Sequence, residues 1–124
     1  MLKGSVIDRR PVVSIKFLLP IGSEVDIEFV VDTGFAGTLT LPLQAIQAMG
    51  LPYLEHHPVV LADGIGQEIP VFQASIVWNG KPLQVPVLAM GRQPLLGALM
   101  MSDRELSILF REGGKVHIFD PESS

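Results

Sequence analysis

Asn79-Gly80 joins two extended runs, residues 69–78 and 82–89. Asn-Gly in that setting is a strong hairpin signal, because a tight antiparallel turn needs left-handed backbone at its centre. The same grammar recurs along the chain. Asp63-Gly64-Ile65-Gly66 separates HHPVVLA (56–62) from EIPVFQASIVW (68–78). Pro20-Ile21-Gly22 separates VVSIKFLL (12–19) from SEVDIEFVV (23–31), and REGG (111–114) separates ELSILF from KVHIF. In the 23–31 run, Val25, Ile27, Phe29 and Val31 alternate with their neighbours, the period of a strand with one buried face. GSVI (4–7) adds an expected edge strand. Only two stretches suit helices. One is 42–49, with Pro42 in the first turn, Leu43, Ile46 and Met49 on the inner face, and Gly50 just past the end. The other lies within 92–101. About nine short strands and one or two short helices predict a mainly β domain, a folded or closed barrel, over residues 1–124. Pro70, Pro82 and Pro86 fall inside expected strands and push those stretches toward edges or ragged pairing.

Composition narrows the function classes. The 124 residues suit one domain, and 48% are hydrophobic. Mean hydropathy is +0.40. In so small a globule, with much surface for its volume, that value hints at an oligomer. No apolar run approaches the length of a membrane helix. The start, MLKGSVIDRR, lacks the apolar core of a signal peptide, which points to the cytoplasm. Net charge is −4 with no basic block, so a nucleic-acid partner is not expected.

The chemistry available is limited. Cysteine is absent, which removes thiolate nucleophiles and cysteine metal sites. No serine sits in a Gly-x-Ser-x-Gly elbow. His56 and His57 are adjacent, so in a strand they face opposite ways and cannot chelate one metal. Gly64-Ile65-Gly66 lacks the helix and spacing of a phosphate-binding fingerprint. What remains is FVVDTGFAGTLTLP (29–42). There an alternating strand delivers Asp32 into an apolar loop, Gly34 and Gly37 permit close approaches, and extended structure resumes at Thr38. Trp78, before the Asn-Gly turn, is expected to pack, and Asp103, Arg104 and Glu105 to form a solvated turn.

Three segments in order carry a resemblance. They are Val30-Val31-Asp32-Thr33-Gly34, the hairpin at Asp63-Gly64-Ile65-Gly66, and Pro94-Leu95-Leu96-Gly97. With these the chain resembles the retroviral-type (retropepsin-like) single-lobe aspartic proteases, in particular their bacterial branch. The resemblance spans about 5 to 110. It implies a single-lobe acid-protease barrel acting as a homodimer, with one catalytic Asp32 from each copy. Thr33 would bond across to the twin loop, and Gly34 would give the loops room. Asp63, Gly64, Ile65 and Gly66 would form a flap over an extended peptide or protein substrate. No cofactor, metal, nucleic acid or membrane is implied. Phe35 and Ala36 depart from the family, whose members often carry Ala or Ser directly after Asp-Thr-Gly. A second reading is an idle barrel of the same fold, serving as a peptide-binding or dimerisation module.

Overall fold

A computed structural model describes residues 2–60 and 62–121. Leu61, at the end of the expected 56–62 strand, lies outside the described residues, as do Met1 and 122–124. Ten strands are described: β1 (Leu2–Ile7), β2 (Arg10–Leu18), β3 (Glu24–Asp32), β4 (Leu39–Leu41), β5 (Tyr53–Val60), β6 (Gly66–Trp78), β7 (Lys81–Ala89), β8 (Leu95–Gly97), β9 (Glu105–Ile108) and β10 (Lys115–Phe119). One helix, α1 (Leu43–Met49), follows β4. The mainly β expectation therefore holds. Within 92–101, however, the helix is only a 3-10 turn, Ala98–Met101, because Leu95–Gly97 is drawn into the sheet as a strand. No helix among the described residues is long and apolar enough to cross a membrane.

The strands form one sheet in the order β5-β6-β7-β4-β8-β3-β2-β1-β10-β9. An additional β6–β2 pairing closes six of them (β2, β3, β8, β4, β7 and β6) into a barrel. Strand β6 makes closure possible through its 13 residues. It pairs with β5 at its start, β7 along its second half and β2 at Ser75 and Ile76. Closure removes the sheet edges of the barrel itself. The hairpin arm β5 and the strands β1, β10 and β9 extend outward from it.

Alternation in β3 has the expected consequence. Phe29 and Val31 are buried, while Val25, at the far end, is exposed. Phe29 stacks on Phe17 of β2, ring centroids 5.8 Å apart. Removing these apolar side chains from water is the main stabilising term, about 1.5–3 kcal/mol for each fully buried one. Burial thus increases along β3 toward Asp32, and the rigid end of the strand is the end that carries the acid.

Four expectations need correction. Strand β1 is not an edge: it lies between β2 and β10, because the C-terminal hairpin adds to its open side. Strands β6 and β7 are interior despite their prolines. Opposite Pro86, the Gln73 N–H turns to Pro52 O (2.8 Å), so no donor on the proline is required. Leu43 is exposed, and the inner face of α1 is carried by Ile46 with Met49 against the core. Arg104 is not merely solvated. It is half-buried, 3.5 Å from Asp120, with its guanidinium 5.7 Å from the centre of the Trp78 ring. Trp78 packs on the core as expected.

Two threonines tie the short strands together. Thr40 is buried in β4, and its Oγ1 accepts the Leu95 N–H at 3.1 Å. Thr38 donates its hydroxyl to Pro86 O at 2.6 Å. Thr40→Val keeps the shape but leaves the Leu95 N–H without that acceptor. It is expected to lower stability by about 1–3 kcal/mol, measured by denaturant unfolding.

Candidate active site

The candidate site is built where β3 ends. Strand β8 lies between β3 and β4, parallel to β3 (Val30↔Leu95, Val31↔Leu96, Asp32↔Gly97) and antiparallel to β4 (Leu39↔Leu96, Thr40↔Leu95). The loop 33–38 leaves β3 at one side of β8 and returns to β4 at the other. Its backbone is bonded onto the segment beneath it. Gly97 N–H reaches Thr38 O (2.7 Å), Ala98 N–H reaches Phe35 O (2.7 Å), and Leu99 N–H reaches Gly37 O (3.2 Å). Two segments some sixty residues apart are thereby locked into one unit, and Asp32 is held at its end.

Asp32 is half-buried. Its Oδ1 accepts the Gly34 N–H at 2.9 Å, and its backbone oxygen accepts the Phe35 N–H at 3.2 Å. Oδ2 makes no hydrogen bond, and the carboxylate forms no ion pair, among the described residues. The Thr33 hydroxyl is exposed and has no hydrogen-bond partner among them either. Gly34 is not in the left-handed region. A Cβ there would meet only the Asp32 Oδ1, at 3.2 Å, so the glycine leaves space around the acid rather than bending the chain.

Phe35 has a definite place. Its ring lies over two glycines: a Cβ on Gly37 would stand 2.6 Å from Phe35 Cζ, and one on Gly97 would stand 2.6 Å from Phe35 Cδ2. At Gly37 the ring alone occupies the volume a side chain would take, and at Gly97 the Gly37 carbonyl oxygen stands closer still than the ring. The ring acts as a plug between the loop and β8.

Asp63, Gly64, Ile65 and Gly66 lie at the far tip of the β5–β6 hairpin. The Asp63 Oδ1 accepts the Ile65 N–H at 2.9 Å, and Gly64 has φ +82°. That is the turn chemistry Asp-Gly favours. Ile65 is 60% exposed, and the outer part of the hairpin packs on little. At its base, the Tyr53 ring meets Phe72 edge-on at 5.7 Å, and its hydroxyl is bonded to His56 Nδ1.

Between hairpin and loop runs a cleft of about 660 Å³. Its floor is Phe35, Ala36, Gly37 and Thr38, and one wall is the β5 arm. Val71, Leu88, Met90 and Leu99 complete a largely apolar lining. Asp32, Thr33 and Gly34 adjoin this floor in sequence without lining the cleft, and the tip residues 63–66 do not line it either. Glu55, His57 and Val59, which do line it, were missed from sequence. The period of two in β5 puts these three on one face, although Pro58 and Val60, of the other parity, line the cleft as well near the hairpin's outer part. It correctly separates His57, in the cleft, from His56, bonded to Tyr53. Among the described residues no group of three or more His, Cys, Asp or Glu is placed to hold a metal ion.

The arrangement offers one anchored carboxylate with an oxygen available, and, adjoining its loop, an apolar cleft walled by the β5 arm. Among the described residues no second acid is hydrogen-bonded to the first, and the side chain next to it in sequence is the Thr33 hydroxyl. No protein-family model, curated protein or solved structure matches the chain.

Proposed function

We propose that the chain is a retropepsin-like aspartic endopeptidase that works as a homodimer. The observation that carries this reading is Asp32 at the buried end of β3, its loop bonded onto β8 and adjoining an apolar cleft walled by the β5 arm. One carboxylate cannot serve as both base and acid in amide hydrolysis, whereas two sharing a proton can. A second copy related by a two-fold axis would supply the second Asp32. The ionised member takes a proton from water as the oxygen attacks the scissile carbonyl. The protonated member donates a hydrogen bond to that carbonyl, and a proton then passes to the departing nitrogen. The Thr33 hydroxyl, without a partner among the described residues, is suited to bond the twin loop. The β5–β6 hairpin closes over an extended peptide and excludes water.

The test is digestion of a peptide library, with new termini read by mass spectrometry. Cleavage at defined bonds is expected. Binding without cleavage at any pH would replace this reading with that of an idle peptide-binding module.

The cleft's lining also predicts preference. An apolar side chain next to the cut bond would sit against Phe35. Phe35→Ala enlarges that space and is expected to raise kcat/KM for bulky apolar residues relative to alanine by roughly tenfold, within the range a few methylenes can discriminate. An unchanged cleavage profile would place the ring outside the subsite.

A further inference from the structure

We infer that two copies of this chain meet through the barrel end formed by the β1–β2 turn and the β9–β10 turn, with Ile7, Leu109 and Phe110 at the contact. This rests on the protease reading, which requires a second copy beside Asp32, and goes further by assigning the surface.

Sheet register places these residues. In β2 and β3, Val12 lies opposite Val30, so the start of β2 flanks the end of β3 that carries Asp32. Arg10 of β2 pairs with Ile7 of β1. Val6 exchanges backbone bonds with the next turn, its N–H to Gly114 O and its O from Gly113 N–H, both 2.9 Å. Leu109 N–H closes that turn on Lys115 O at 2.9 Å. The Asp32 loop and both turns therefore stand along one end of the sheet. The β2–β3 turn with Ile21 is at the other end, beyond Leu18↔Glu24.

The shared end is apolar where it has no reason to be in a single copy. Ile7 is 42% exposed, Leu109 48% and Phe110 67%. An aromatic and two aliphatic side chains exposed in adjoining turns are the kind of apolar surface that marks an interaction site. Charges of both signs rim it: Asp8 and Glu112 against Arg9, Arg10 and Arg111. None of the three arginines has an ion-pair partner among the described residues. A two-fold contact brings a patch against itself, and only a patch carrying both signs can satisfy its own charges.

The surface is also held in shape. Asp8 and Arg9 both adopt left-handed backbone, φ 51° and 66°, which non-glycine residues do at a cost. The Glu112 carboxylate accepts the Asp8 N–H at 3.0 Å, tying the two turns together. A contact surface ordered in advance loses less freedom on association. The C-terminal hairpin thus has two tasks. Its strands complete the chain's own sheet, and its turn presents Phe110 to a second copy.

The test is sedimentation equilibrium of the full chain as wild type, Phe110→Glu and Ile21→Glu, with peptide cleavage assayed on the same samples. Wild type and Ile21→Glu are expected to be dimers. Phe110→Glu is expected to keep the wild-type circular dichroism spectrum and to dimerise at least roughly thirtyfold more weakly, as for loss of an aromatic anchor. If Phe110→Glu does not fold, Ile7→Glu reads the same face. A wild type that stays monomeric at the highest attainable concentration overturns the inference, as does a folded variant that dimerises as tightly as wild type. A dimer broken by Phe110→Glu in a wild type that cleaves nothing supports the surface and removes the protease reading. A cleaving wild type whose variant stays dimeric and active does the reverse.

Discussion

Asp32→Asn is expected to abolish peptide cleavage while leaving the fold in place. Each copy supplies the same residue, so one substitution removes both carboxylates of the proposed pair. Neither proton abstraction from water nor donation to the carbonyl then has an agent. A single positioned acid or base is worth about 10²–10⁴ in rate, so the loss of both carries kcat below about 10⁻³ of its starting value. The fold should barely register the change. An asparagine oxygen can accept the Gly34 N–H as Asp32 Oδ1 does at 2.9 Å, and the carboxylate has no ion pair to lose among the described residues. Unfolding free energy should move by less than about 1 kcal/mol, as for substitutions that disrupt no packed or charged partner. The check is paired: library digestion for activity and thermal unfolding for stability. Wild-type cleavage by the variant would move the chemistry to other residues.

Gly97→Ala is expected to cost much of the fold's stability. The added Cβ would stand 2.6 Å from Phe35 Cδ2, 2.8 Å from the Gly37 carbonyl carbon and closer still to the Gly37 oxygen. That oxygen accepts the Leu99 N–H, and the Gly97 N–H itself bonds Thr38 O. A methyl group there must part the loop from β8 and break the ties that hold Asp32. Overpacking costs about 1–3 kcal/mol, and the clash with backbone puts this case at the upper end, a fall in Tm of about 10 °C. Gly66→Ala is the control. No atom lies within 4 Å of its Cβ position and its φ is not in the left-handed region, so a shift under about 1 kcal/mol is expected. Equal effects at both positions would mean that crowding at Gly97 is not the cause.

What was legible in the sequence followed local chemistry. The hairpins at 63–66 and 79–80 and the helix ending at Gly50 are written in residues next to one another. Phe29 and Val31 as core residues followed from a period of two. What was hidden depended on distant partners. Strands β4 and β8 have three residues each, too few for any period to show. Their pairing is specified by the Thr40 hydroxyl, the two glycines and the Phe35 ring acting together. The β1–β2 turn carries no Gly or Asn at its left-handed positions, so Asp8-Arg9 gave no turn signal. Phe35 looked like a departure when judged by its neighbours in sequence. Its reason lies at Gly97, across the loop. Asp32 itself was the easiest residue to single out, yet what fixes its position was the hardest part to see.

The pairing of β3 with β8 also bears on how the protein is made. Asp32 leaves the ribosome long before Leu95, and in between the chain has no strand against which to seat the acid's loop. Contacts between segments so far apart form late, since closing a long loop must precede any gain from them. A nascent chain that stops short of Leu95 would carry Asp32 without the platform that positions it. The timing of translation alone would keep the candidate chemistry silent until most of the polypeptide has emerged.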